Sequence, residues 1–354
     1  MATIRDVAKS AGVSTATVSN VLNGRSERVS AETRERVLAS VRTLKYRPTA
    51  LEKNQKAILS QNLGVLVTDL TEGPLTRHGY FRDILEGALE ASAMRGWSVT
   101  IFVQRMWYDV GQAVRRSYDG RCDGLIMVAP QPGNEIVQIL QERGTHLVLV
   151  GSTPWLSNVS CVDIDNAAVG QQAARHLIDL KHRRLAYLSH GWEQVSSIER
   201  REAFFQEAKK AGIGDVTHIA VTRSESVKTD AEIIVDRLTS ERTPPTGLFC
   251  WHDGLGAPLV AELSKRGYPV PEKFSVISVD DAPEATEVTP QLTTFANPLR
   301  EIGKRAAKMI IDRLTESRET TEIVRFSSEL IVRESTGLAP SQTSDPLEEL
   351  INSR

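Results

Sequence analysis

Two sets of residues could do chemistry in this chain, and neither is catalytic. The first is Ser14-Thr15-Ala16-Thr17-Val18-Ser19-Asn20, a stretch of short side chains without charge. Hydroxyls and amides of this kind can exchange hydrogen bonds with base edges and phosphate oxygens. The second set is spread along the chain. Asp280 and Asp281 follow an apolar run ending at Val279, and Arg200 lies far upstream. A carboxylate at a strand end can accept hydrogen bonds from two neighbouring hydroxyls of a sugar-like ligand. A guanidinium is a planar fork of donors suited to ring or anomeric oxygens. No Gly-x-x-x-x-Gly-Lys phosphate loop, His-Glu-x-x-His pair or Gly-x-Ser-x-Gly elbow occurs. Gly254-Leu255-Gly256 begins like a dinucleotide fingerprint, but the third glycine is missing and Pro258 interrupts it. The reading is therefore of a binding protein rather than an enzyme, with no cofactor and no metal.

The first set needs a helix that projects it outward. Ile4, Val7, Ala8 and Ala11 recur at helical spacing, and Gly12 can take the positive φ of a tight turn. Ser14 is placed to cap a second helix, in which Val18, Val21 and Leu22 face inward while Thr15, Ala16, Thr17, Ser19 and Asn20 face out. Two short helices crossing over a glycine corner describe a helix-turn-helix, which presents its second helix to a major groove. A third helix is expected over Val29–Val37, and Tyr46-Arg47-Pro48 closes this head. Charge supports the reading: residues 1–60 hold 11 Lys+Arg against 5 Asp+Glu, whereas the remainder holds 32 against 40. A basic head on an acidic body is the distribution expected when only the head meets polyphosphate.

The second set needs a parallel sheet. From residue 62 short Val/Ile/Leu runs alternate with amphipathic segments. Strands are expected at 64–68, 97–103, 124–128, 146–150, 184–188, 246–250 and 275–279, and a helix from Phe81 to Arg95 ended by Gly96. This βαβ series predicts an α/β fold with sheets covered on both faces, and its strand number implies two lobes with a cleft between them. Ligands of such folds bind outside the carboxyl ends of the strands. There Asp281 is placed to cap the segment after its strand, and Asp253 to cap a helix starting at Gly254. With 354 residues the chain suits two or three domains. Its three distant cysteines, Cys122, Cys161 and Cys250, fit small buried hydrophobes in a reducing cytoplasm. Neither a secretory signal nor a run of eighteen apolar residues is present, so no membrane partner is expected.

Residues 3–48 closely resemble the LacI/GalR family of bacterial transcription regulators, and the likeness extends to about residue 337. Matching stretches include Asp165–Gly170, Pro290–Thr294 and Leu330–Gly337. The resemblance implies an all-α helix-turn-helix head at 1–48 and a hinge at 49–61. A two-lobed body like a type I periplasmic binding protein would follow at 62–337, with a disordered tail at 338–354. It implies base reading by Thr15, Ala16 and Asn20, and phosphate contacts by Thr3, Ser14, Thr17, Ser19 and Asn23. In the hinge the family usually has an Asn after the proline, an Ala-Arg pair and a wedging Leu. This chain has Thr49, Glu52-Lys53 and Gln55 there, so Lys53 and Gln55 are the residues offered to a minor groove, and glutamine is a poor wedge. For an effector the resemblance implies Tyr80, Phe81, Ser152, Arg200, His252, Asp280 and Asn297. Phe81 can serve core or pocket, and His252 can be a structural histidine or a ligand contact. Ala203 stands where the family's Arg-x-x-Gly-Phe stretch has glycine.

The expected function is a cytoplasmic, dimeric DNA-binding regulator, most often a repressor, that reads a near-palindromic operator and is switched by a sugar-like effector in the cleft. Dimerisation must come from the body, since the head has no zipper, and the helix from Phe81 to Arg95 is one candidate surface. Two other classes compete. A transport solute-binding protein would share the body but needs neither a basic head nor the absence of a signal. A Rossmann-type enzyme would need the glycine pattern that is broken here.

Overall fold

A computed structural model describes residues 3–22, 29–44, 59–68, 79–104, 121–131, 135–152, 158–190, 194–214, 216–221, 227–316 and 320–340. Asn23, Lys53, Gln55, most of the 49–61 hinge and residues 341–354 lie outside the described residues. The chain divides into two compact units, residues 1–164 with 298–326 and residues 165–297 with 327–354.

The first unit opens with three helices, α1 (Ile4–Ala11), α2 (Thr15–Leu22) and α3 (Ala31–Thr43). Thr3 and Asp6 form a capping box: the Asp6 N–H donates to Thr3 Oγ1 at 3.3 Å, and the Thr3 N–H donates to the Asp6 carboxylate at 2.8 Å. The Thr3 N–H and the Thr3 hydroxyl both donate to the Asp6 carboxylate and hold it below its ordinary pKa. Gly12 ends α1 at φ +65°, as its position at the corner requires. The Thr17 N–H donates to Ser14 Oγ at 3.0 Å, so Ser14 caps α2 as expected. Val7, Ala8, Ala11, Val18, Val21, Leu22, Val37 and Val41 are buried together. The third helix starts later than the sequence suggested, after Ser30 caps it, and runs on to Thr43 because Val41 belongs to this core.

The sheet of this unit comprises β1 (Asn62–Thr68), β2 (Ser98–Gln104), β3 (Gly124–Val128), β4 (His146–Val150), β5 (Ser160–Ile164) and β11 (Ile323–Phe326), all parallel, in the order β11-β5-β4-β3-β1-β2. Helices α4 (Gly79–Ala93), α5 (Glu135–Glu142) and α11 (Leu299–Thr315) belong to it. Helix α4 ends before Gly96, which has φ +74°. It lies very close to α11: a Cβ added at Gly87 would come within 1.9 Å of the Arg300 carbonyl oxygen. Arg300 and Lys304 of α11 pair with Glu90 of α4 at 2.9 and 3.2 Å. One face of the helix expected to join two protomers is thus already used inside its own unit.

The second unit holds β6 (Leu185–His190), β7 (Val216–Val221), β8 (Gly247–Cys250), β9 (Ser275–Asp280), β10 (Thr293–Ala296) and β12 (Glu329–Ile331) in the order β12-β10-β9-β8-β6-β7. All its pairings are parallel except that of β12. Around it are α6 (Asn166–Asp179), α7 (Val195–Lys210), α8 (Val227–Ser240), α9 (Asp253–Lys265) and the single turn α10 (Glu284–Glu287). Strands β5, β7, β10, β11 and β12 go beyond those read from the sequence. Their Ser, Thr, Asp, His and Arg residues break the apolar runs, and the adjoining strand satisfies their backbone groups. The first residues of the expected tail are tethered, since the Ala339 N–H donates to the Leu180 carbonyl at 2.8 Å. No described helix is long and apolar enough to cross a membrane.

Candidate functional site

The face of α2 is as the spacing predicted. Ser14, Thr15 and Ala16 are exposed, and Thr17, Ser19 and Asn20 are half-buried, as is Thr3 ahead of α1. Ser14 Oγ and Thr17 Oγ1 are 2.9 Å apart and share a hydrogen bond. Arg5 and Lys9 of α1 are exposed as well.

In the first unit, Tyr80 and Phe81 form the first turn of α4 and pack edge to face, with ring centroids 5.7 Å apart. Gly151 and Ser152 directly follow β4. A Cβ at Gly151 would sit 2.0 Å from the Tyr80 hydroxyl, and Gly151 has φ +69°, so glycine is required twice over. Tyr80 is therefore seated against the carboxyl end of β4, next to the fully buried Ser152. These three expected residues form one group, uncharged and largely aromatic.

In the second unit, Arg200, His252, Asp280 and Asn297 form another. Asp280 ends β9 at φ +120°, a region costing a residue with a side chain about 1–3 kcal/mol. The Asn297 amide donates to Asp280 Oδ1 at 2.9 Å and its carbonyl accepts from Ser328 Oγ at 2.7 Å, which orients both side chains. Arg200 is only 4% exposed. Its Nε donates to Asn166 Oδ1 at 2.8 Å and its Nη1 to the Trp251 carbonyl at 2.5 Å. Two donors of the expected fork are thus spent on fixing α6 and the end of β8.

Two expectations need correction here. His252, not Asp253, caps α9: its backbone is extended, and the Leu255 N–H donates to its Nδ1 at 3.2 Å. A neutral His252 accordingly carries its proton on Nε2. Asp253 is fully buried within the first turn and accepts from the Ala282 N–H at 2.9 Å and Thr294 Oγ1 at 2.7 Å. Burial, together with the negative charge of Asp280, pushes its carboxyl well above the usual range. Asp281 pairs with Arg333 instead of capping a helix. Gly254 and Gly256 lie inside α9, so the partial dinucleotide pattern forms no phosphate loop.

The same edge carries residues that the sequence reading did not name. His190 ends β6, with Nδ1 3.4 Å from the carboxylate of the fully buried Asp230 on α8. Trp251 follows β8, and its ring lies 5.5 Å from His190 and 4.3 Å from His252. Both occupy the strand-end positions that identified Asp280, so extending that rule to β6 and β8 finds them. Among the described residues no group of three or more His, Cys, Asp or Glu could hold a metal. Cys161 and Cys250 are buried free thiols.

Residues 3–49 match the lacI family of bacterial regulatory proteins, and residues 174–336 match the periplasmic binding protein-like domain. The HTH-type transcriptional repressor PurR of Pectobacterium carotovorum subsp. carotovorum (strain PC1) is 30% identical over 347 residues, covering 96% of this chain and 98% of that one. The PurR repressor of Vibrio vulnificus (strain CMCP6) is 28% identical, over 94% and 98% of the two chains. Among solved structures, a transcriptional regulator CelR–cellobiose complex superposes with TM-score 0.72 at 26% identity, over 95% of this chain and 100% of that one. A lac repressor dimer bound to operator, at 21% identity and TM-score 0.69 over 95% and 99%, shares the fold. Since the likeness to a repressor at 30% identity runs through head and body alike, the chain belongs to the LacI family of bacterial regulatory proteins and is a DNA-binding transcription regulator.

Proposed function

We propose that this regulator is a cytoplasmic repressor that binds a near-palindromic operator as a homodimer and is switched by a small, sugar-like effector. The observation that carries the reading is the capped, uncharged, outward face of α2 on a basic segment. Thr15, Ala16 and Asn20 read bases, while Thr3, Ser14, Thr17, Ser19 and Asn23 hold phosphates. One head discriminates too few base pairs against a genome of competing sites, and two tethered heads combine their energies. The head spans 1–48, a hinge with Lys53 and Gln55 spans 49–61, and the effector-binding and dimerising body spans 62–337, with a tail beyond.

Exposed apolar side chains support a dimer. Leu89 of α4 and Met94 just after it are 44% and 82% exposed, and Ile101 and Val103 of the edge strand β2 are 40% and 42% exposed. Exposed apolar side chains on an edge strand are ones that a second copy would cover. The effector is recognised by the strand-end residues: Tyr80, Phe81 and Ser152 in the first unit, and Arg200, His252, Asp280 and Asn297 in the second. Cellobiose bound to CelR supports a sugar-like ligand. Its binding biases the body between two states with different operator affinity, by as much as its affinities for those states differ.

The test is a gel shift on DNA upstream of the protein's own gene. Binding confined to one near-palindrome and falling steeply with salt is expected. Deleting residues 1–60 should abolish the shift and leave effector binding intact. A chain that binds a small molecule but ignores operator-like duplexes at low salt would instead be a solute-binding protein.

A further inference from the structure

The chain joins its first sheet at Asn62, yet the body takes hold of it earlier. β3 pairs with β1 only from Leu63, so the N–H groups of Ser60 and Asn62 lie ahead of that ladder. Both donate to the carboxylate of Asp123, Ser60 to Oδ1 at 3.0 Å and Asn62 to Oδ2 at 3.3 Å. Gln61 between them is held at φ +54°, where L side chains rarely sit. That left-handed residue turns the N–H groups on either side of it toward one anion. Ser60 and Gln61 are exposed, so no core packing fixes them. Hydrogen bonds do. The Asn62 amide and Ser60 Oγ donate to the Arg121 carbonyl at 2.8 and 3.4 Å, and the Ser98 N–H donates to the Gln61 carbonyl at 2.8 Å. Asp123 is itself anchored. Its N–H donates to the Asn62 carbonyl at 2.9 Å, and Gly124 after it lies so near Ile310 of α11 that a Cβ would not fit.

Magnitude separates two roles for this clasp. As a mere fastening it shortens a flexible tether. Losing it would then lengthen the tether by about three residues in ten and dilute one head near the other only about 1.5-fold. As a guide it fixes the direction in which each hinge leaves the body, and losing it scatters the heads over orientations that do not fit one duplex. Charge makes the distinction sharper. Asp123 is an acid on the path to a polyanion, so neutralising it would, by electrostatics alone, strengthen DNA binding. A weaker complex therefore reports geometry.

Resting on the hinge reading above, we propose that Asp123 is a positioning residue for DNA binding: its carboxylate, closed on Ser60 and Asn62 across Gln61, aims each hinge at the operator. The experiment is a gel shift of the full chain on the DNA upstream of its own gene, with urea unfolding of each variant to give its folded fraction. Asp123→Asn keeps the size and loses one acceptor, and it should weaken operator binding about tenfold or more at equal folded fraction. Gln61→Pro, whose ring forbids a positive φ, should do the same with Asp123 in place. Gln61→Gly takes that φ freely and should stay within about threefold of the parent. Asp123→Asn or Gln61→Pro within about threefold of the parent overturns the proposal, as does a loss that disappears once folded fractions are equalised. A parent that ignores the duplex removes the DNA-reading proposal along with the clasp. A binding parent with unaffected variants removes the clasp alone.

Discussion

The two six-stranded sheets repeat one strand order, yet their carboxyl edges have little chemistry in common. In the first unit the edge is neutral: Tyr80 on Phe81, with the Tyr80 hydroxyl against Gly151 and Ser152 buried beside it. In the second it is ionic and crowded with rings: Asp280, His190–Asp230, Arg200, Trp251 and His252. Topology decides where a ligand edge forms, because parallel strands all end on the same side. It is silent about what the edge recognises. On the effector reading proposed above, the neutral edge contributes shape and the ionic edge contributes orientation and selectivity.

The largest expected break in this contrast is Asp280→Asn. Loss of a charge-assisted acceptor should weaken effector binding about 10- to 100-fold, read by calorimetry, while operator binding without effector is unchanged. Next come two glycines that play the same packing role in the two units. At Gly170 on α6 a Cβ would meet the Arg200 carbonyl oxygen at 2.2 Å, and at Gly87 on α4 it would meet that of Arg300 at 1.9 Å. Alanine at either site should cost about 1–3 kcal/mol of stability in thermal or urea unfolding. Only Gly170→Ala should also weaken effector binding, since only it displaces Arg200, one of the effector residues proposed above. Equal binding losses in both would show that the ionic edge has no special role.

A smaller effect is expected from Tyr80→Phe. Removing one neutral hydroxyl should lower effector affinity about 2- to 10-fold, less than Asp280→Asn, and a reversed order would make the first unit the selective one. The smallest concerns pH. The Asp253 carboxyl titrates well above its unfolded value, so between the two values the folded chain binds more protons. Its contribution to stability therefore falls as pH rises from about 4, the unfolded carboxylate value. Urea unfolding at a series of pH values should show that decline in the parent relative to Asp253→Asn. Parallel curves would mean that Asp253 is not held protonated.

The head was legible because its signals are local. Thr3, Gly12 and Ser14 act on residues within one turn of themselves, so cap, corner and exposed face followed from spacing. The strands with long apolar runs were legible for the same reason. Strands β5, β7, β10, β11 and β12 were not, because a polar residue in a strand is indistinguishable from a loop until its partner is known. Thr294 is a case in point: its hydroxyl is buried only because Asp253, 41 positions away, accepts from it.

The amino-acid order alone determined the helix-turn-helix, the βαβ alternation and the strand ends at which ligand residues had to be sought. Periodicity and capping act over a few residues, where sequence and space coincide. Tertiary structure alone decided what the side chains at those ends do. It turned Arg200 inward onto Asn166 and Trp251, made His252 the cap in place of Asp253, and set His190 against Asp230. Those outcomes depend on which buried donor finds which acceptor across separate strands and helices. A buried polar group takes the partner the fold brings to it, however far away in the chain that partner lies.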